Sequence, residues 1–267
     1  MMKTGLKMVL AGLLLVAVAV LAGCGSGGSG SSSSGSLSLA IDKASVESGG
    51  IVVATVTLTS STGQPVNDVP IRVMSTNSNV VASASGKTNM SGVAQVTLSA
   101  KWLAADQSVY LSAGSDVTAN SPSVALTVVA PKLTATMPGA TSYAATGGTP
   151  GSVVRVVQSG TTVKFLNGAS NPIVNQPIDV TITSITNQRS GDAVIFYPSP
   201  GITIVSPTGI LTAVTDNTGT ANVPMAVDVV VPATGSQHVI TLNWQATTDY
   251  AGNTYTLTGS SQFTVTN

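Results

Sequence analysis

The chain has 267 residues, ten of them basic and ten acidic, so its formal charge is zero, and only 7% of its residues are charged. With no basic excess to hold a phosphate backbone, the composition argues against nucleic-acid binding. One histidine (His238) and one cysteine (Cys24) leave no intrachain disulfide, no ligand set for zinc and a single imidazole for any hydrolase triad. No cofactor, no metal and no catalytic residue are expected.

The chain opens with Lys3 and Lys7, an apolar run VLAGLLLVAVAVL over 9–21, and the small pair Ala22-Gly23. This is the layout of a secretory signal over residues 1–23. The competing reading is a transmembrane helix. The apolar stretch 8–23 would be about 24 Å long as a helix, against a hydrocarbon core of about 30 Å. Leu21-Ala22-Gly23-Cys24 resembles the lipobox of bacterial lipoproteins. That resemblance implies cleavage before Cys24, a diacylglycerol on its thiol and acylation of the new amine. Cys24 is then a lipid attachment point, and several acyl chains hold a protein stably at a bilayer. Gly25 stands where an Asp often marks retention at the inner membrane, so the resemblance implies the outer membrane and leaves the face open. Residues 25–36, GSGGSGSSSSGS, read as a flexible tether about 20 Å long on average.

From Leu37 onward the apolar period is two. Val52, Ala54, Val56 and Leu58 alternate with Val53, Thr55, Thr57 and Thr59; Ile240, Leu242, Trp244 and Ala246 share one side of 238–246. Turn signals recur between such runs, at Thr62-Gly63, Asn167-Gly168, Asn217-Thr218-Gly219 and Gly252-Asn253. Many short strands with regular turns predict an all-β chain of β-sandwiches. Pro224 interrupts a strand and predicts an edge or bulge there.

Two stretches recur. PVNDVPIRV (65–73) aligns without gaps on PIVNQPIDV (172–180), and Thr88-Asn89-x-x-Gly92-x-Ala94 aligns on Thr215-Asp216-x-x-Gly219-x-Ala221. The offsets are 107 and 127 residues. Repeats this far apart are whole domains, placed at 37–130 and 131–267, with an insertion in the second near 184–212. The junction Ala130-Pro131-Lys132 is short, which predicts a stiff rod. The two motifs, in the same order in both copies, resemble bacterial Ig-like domains of the invasin/intimin type (group 1). The resemblance implies two tandem Ig-like β-sandwiches in which the repeated turn is a structural hairpin.

Asp216-Asn217 with Asp249 and Asn253 lack the dense carboxylate run of a calcium loop and read as turn chemistry. His238 reads as a surface or strand-edge histidine. Phe196 and Tyr197, two of ten aromatics, fall in the insertion and are candidate ligand contacts; the alternative is an extra strand that covers the core. Trp102 carries the same ambiguity. The expected function is a non-catalytic, membrane-anchored envelope lipoprotein acting as a structural, adhesive or scaffolding rod. Its expected partners are the membrane through Cys24 and a protein or polysaccharide of the envelope or cell surface. The alternative is a polysaccharide- or protein-complex-binding module that uses the insertion.

Overall fold

The computed structural model describes residues 35–118, 120–137, 141–158, 160–199, 202–206 and 209–267. The signal, Cys24 and nearly all of the tether lie outside the described residues.

Alternation sets the first sandwich. Strands β1 (Ser36–Ile41), β2 (Ser45–Glu47), β3 (Ile51–Thr59), β4 (Pro70–Ser75), β5 (Ala84–Lys87), β6 (Val93–Ser99), β7 (Gln107–Ser115) and β8 (Val124–Val129) follow in order. In β3 every second side chain, Val52 to Leu58, is buried, as period two requires of a strand with one face on the core. The strands form two sheets, ordered β1-β3-β6 and β2-β8-β7-β4-β5. The chain changes sheet between β1, antiparallel to β3, and β2, parallel to β8. Val52, Leu58, Ile71, Leu98, Leu111 and Leu126 from both sheets meet in one core. This arrangement of sequential strands divided between facing sheets is Ig-like.

The second sandwich repeats it. Its strands are β9 (Lys132–Thr136), β10 (Thr141–Ala144), β11 (Val153–Gln158), β12 (Thr162–Leu166), β13 (Pro177–Thr186), β14 (Ala193–Ser199), β15 (Ile202–Ser206), β16 (Ile210–Val214), β17 (Thr220–Asn222), β18 (Met225–Val230), β19 (Gln237–Tyr250) and β20 (Asn253–Thr266). Sheet β9-β12-β17 matches β1-β3-β6, and β10-β20-β19-β13-β16 matches β2-β8-β7-β4-β5, including the parallel pair β10–β20. A further sheet, β11-β18-β14-β15, belongs to this copy alone. Pro224 sits in the break between β17 and β18, where no ladder amide is needed.

The insertion therefore supplies strands. Phe196 is 0% exposed and packs in the second core with Val194, Met225 and Val227. The expectation that Phe196 contacts a ligand is overturned, because Val194 and Phe196 share the inward face of β14 and no part of the ring reaches solvent. His238 also departs from expectation: it is 4% exposed, on the inward face that it shares with Ile240 and Leu242.

The repeated turn is one structure built twice. Gly92 and Gly219 have φ of 71° and 73°. A Cβ on either would press on a backbone carbonyl oxygen, of Leu58 in one copy and Phe165 in the other. Asn89 Oδ1 accepts from the amides of Ser91 and Val93, and Asp216 Oδ1 from those of Thr218 and Thr220. The Thr88 hydroxyl accepts from Val69 N as the Thr215 hydroxyl accepts from Gln176 N. Asp68 and Asn175 hold matching positive φ, 58° and 57°. Side-chain oxygens thus satisfy amides that the ladders leave free.

Candidate functional site

The joint between the sandwiches is built by elements of both. From the first come the β2–β3 turn (47–50) and the β6–β7 connection (100–106). From the second come the β12–β13 turn (167–171) and the tip of the β19–β20 hairpin. That hairpin has 14-residue strands, where β7 has nine residues and β8 six. Its extra length carries Tyr250 and Tyr255 to the first sandwich.

Four rings link the two bodies. Trp102 meets Tyr250 edge to face, with centroids 5.3 Å apart and planes at 86°. Tyr250 meets Phe165 at 5.6 Å and 88°, and Phe165 meets Tyr255 at 5.3 Å. Phe165 is fully buried in the second core, so the series runs from a surface loop of one sandwich into the interior of the other. Each such pair adds about 1 kcal/mol beyond area burial. Hydrogen bonds fix the approach. Tyr255 Oη donates to Leu103 O at 2.8 Å in a buried setting, and Asn167 Nδ2 donates to Glu47 Oε2 at 2.7 Å. Asp106 accepts from Ala130 N at 2.8 Å and pairs with Lys132 Nζ at 3.0 Å, clamping the junction from both sides. The Ala130 amide and then Lys132 hold the Asp106 carboxyl below its ordinary range. Trp102 itself is 40% exposed and seated on Gly49, whose missing side chain makes room for the indole.

Burial, and secondarily Tyr250, push the Tyr255 phenol above its ordinary value. The neutral phenol is the form the fold favours. Its contribution is therefore complete below the unfolded pKa of about 10 and lost as pH rises through the folded value. In an alkaline absorbance titration at 295 nm, one of the five tyrosines should ionise after the others, and Tyr255→Phe should remove that late step. A late step that survives the substitution would assign the effect elsewhere.

Of the other predicted residues, Tyr197 and His238 make none of the joint's contacts, and Asp249 lies at the hairpin tip beside Tyr250. Tyr197 is partly exposed on the outer face of the β11-β18-β14-β15 sheet, where Ile195 pairs with Ala226 and Ala226 with Val157. Beside it Arg155 makes a bidentate pair with Asp228 at 2.7 and 2.8 Å, which raises the guanidinium pKa further. The structure thus separates the two adjacent aromatics, with Phe196 in the core and Tyr197 at the surface. His238 Nε2 lies 2.8 Å from Asp192 Oδ2; Asp192 also accepts from Val230 N at 2.7 Å and Arg189 N at 2.6 Å. Among the described residues no serine hydroxyl bonds the imidazole, and the carboxylate is saturated by structural donors. Asp216, held below its ordinary value by Thr218 and Thr220, is committed to its turn, and Asp249 accepts from Thr254. Among the described residues no three His, Cys, Asp or Glu side chains converge. Sequence reasoning singled out Trp102 and passed over Glu47, Asn167, Tyr250 and Tyr255; the unusual length of the β19–β20 alternation was the available signal.

No protein-family model matches the sequence, and no curated protein is significantly similar to it. Among solved structures, the chain is similar to the Yersinia pseudotuberculosis adhesin InvE, at 15% identity and a TM-score of 0.35 over 86% of this chain, and spans 60% of that chain. It is similar to the D0–D1 domains of intimin at 18% identity and a TM-score of 0.30, covering 84% of this chain and 96% of that one. It is similar to the Escherichia coli adhesin FdeC at 12% identity and a TM-score of 0.33, covering 86% of this chain and 64% of that one. All three TM-scores fall below 0.5, and no function is carried over from these proteins.

Proposed function

We propose that this chain is a non-catalytic, lipid-anchored spacer: a stiff pair of Ig-like sandwiches held at the bacterial outer membrane through Cys24 and presenting its second sandwich to a protein or polysaccharide of the envelope or surface. The observation that carries the reading is the joint. A flexible linker would leave each sandwich end to water. Here the junction residues Ala130 and Pro131 are buried, and hydrogen bonds, an ion pair and edge-to-face rings close the ends on each other. Relative motion is the default for tandem domains, and these contacts are what would oppose it here. The lipobox-like Leu21-Ala22-Gly23-Cys24 and the Gly/Ser run behind it supply an attachment that reaches out from the bilayer.

Proteinase K treatment of cells, intact and with the outer membrane permeabilised, tests this. The tether, with no apolar residue to bury, should be the first site cut, which releases one resistant fragment that starts within 25–36 and runs through both sandwiches. A Cys24→Ser strain should lose membrane association. Separate fragments of single sandwiches would contradict the closed joint, and unchanged membrane association of Cys24→Ser would contradict the anchor.

A further inference from the structure

We infer that the cleft at the joint is a carbohydrate subsite that takes a neutral pyranose ring against Trp102. The cleft has a volume of about 550 Å³ and is lined by Glu47, Trp102, Asn167, Ile173, Val174 and Tyr250 among others. That size is in the range of small-ligand sites, and a crevice between domains is a usual place for one. Its walls are apolar where Trp102, Ile173 and Val174 stand and polar where Glu47 and Tyr250 stand. Asn167 Nδ2 holds one Glu47 oxygen and so orients the carboxylate, while Oε1 and the Tyr250 hydroxyl make no hydrogen bond to a described residue. An indole 40% exposed beside two unused polar groups matches a β-linked glucose or N-acetylglucosamine ring. Such rings present only axial hydrogens on their faces and carry their hydroxyl or amide groups at the rim. Neither lysine nor arginine lines the cleft, and its one charge is a carboxylate, which disfavours acidic sugars.

The site draws residues from both sandwiches, so it rests on the closed joint of the proposed spacer. Val174, 45% exposed on the cleft wall, makes none of the joint hydrogen bonds and gives an independent handle. Trp102 and Trp244 are the only tryptophans, and Trp244 is 8% exposed, so a ligand-induced change in emission reports on Trp102. The full chain in a sugar-free detergent is titrated with cellohexaose and with N-acetylchitohexaose. A saturable blue shift with half-saturation near 1 mM is expected for at least one oligomer. Trp102→Ala should abolish the binding heat of the same oligomer in a calorimetric titration, and Val174→Arg, which fills the cleft, should weaken association about tenfold or more. The protease fragment is followed in parallel. No saturable shift with either oligomer, or equal binding by Val174→Arg, while the fragment stays single, overturns the sugar site and leaves the spacer standing. A fragment that splits in two overturns both.

Discussion

Asp192→Ala should destabilise the second sandwich by about 3–5 kcal/mol, the range for removal of one partner from a buried charged network. The Asp192 side chain is 0% exposed and that of His238 5%. Three donors converge on the carboxylate: Val230 N on Oδ1, and Arg189 N and His238 Nε2 on Oδ2. Alanine leaves the Val230 amide and His238 Nε2 buried without an acceptor, each such loss costing about 1–3 kcal/mol, while the amide of exposed Arg189 can turn to water. The network also ties three elements together, because Asp192 heads β14, Val230 ends β18 and His238 starts β19. Its loss should therefore loosen the inserted sheet first. Urea unfolding would show the midpoint of the second sandwich falling, with the first unchanged once the joint has opened. Asp192→Asn keeps one acceptor oxygen but turns an amide NH₂ toward a donor, so it should cost less than alanine, about 2 kcal/mol. A loss under about 1 kcal/mol in Asp192→Ala would mean that water replaces the carboxylate and that the network is not closed.

Gly168→Ala should spring the joint open while both sandwiches stay folded. The added methyl would overlap the carbonyl oxygen of Val129 and crowd that residue's carbonyl carbon and Cβ. Val129 ends the last strand of the first sandwich and Gly168 lies in a turn of the second, so tilting one body away from the other relieves the overlap without disturbing either core. Overpacking of this kind costs about 1–3 kcal/mol, comparable to what the Asn167–Glu47 and Tyr255–Leu103 hydrogen bonds contribute together. Spin labels on the exposed positions Ser61 and Thr258 should give one narrow distance in the parent and a broad distribution in the variant. A narrow distance in both would show that the turn yields locally and that the joint is stronger than its hydrogen bonds and ring contacts suggest.

Much of the fold was legible because strands with one buried face write period two into the chain. Val52 to Leu58 announce β3, and the doubled Thr-(Asn/Asp)-x-x-Gly turn announces the two copies. Its geometry depends on residues within a few positions of one another, so the sequence holds nearly all of it. The same alternation also carried signals that were read too weakly. His238 is two residues before Ile240 and therefore faces the core; its partner Asp192 is 46 positions away and leaves no local trace. Phe196 is likewise in phase with Val194. The joint was not legible. Whether Trp102 meets Tyr250 depends on the angle between two bodies and on a hairpin that overreaches its own sandwich, and no local pattern encodes either.

The parallel pair β2–β8 has a mechanical consequence. Tension that enters the first sandwich at Gly35 and leaves at Pro131 pulls these strands along their own length in opposite directions. Ser45, Val46 and Glu47 face Thr127, Val128 and Val129, and Ser48 N adds a bond to Val129 O at 2.9 Å. Under such a pull the bonds are sheared together, whereas a hairpin pulled from its open end unzips one bond at a time. Rupture is then governed by the unfolding rate under load and not by the equilibrium stability of the sandwich. A sandwich of modest thermal stability can in this way bear a load applied along its length.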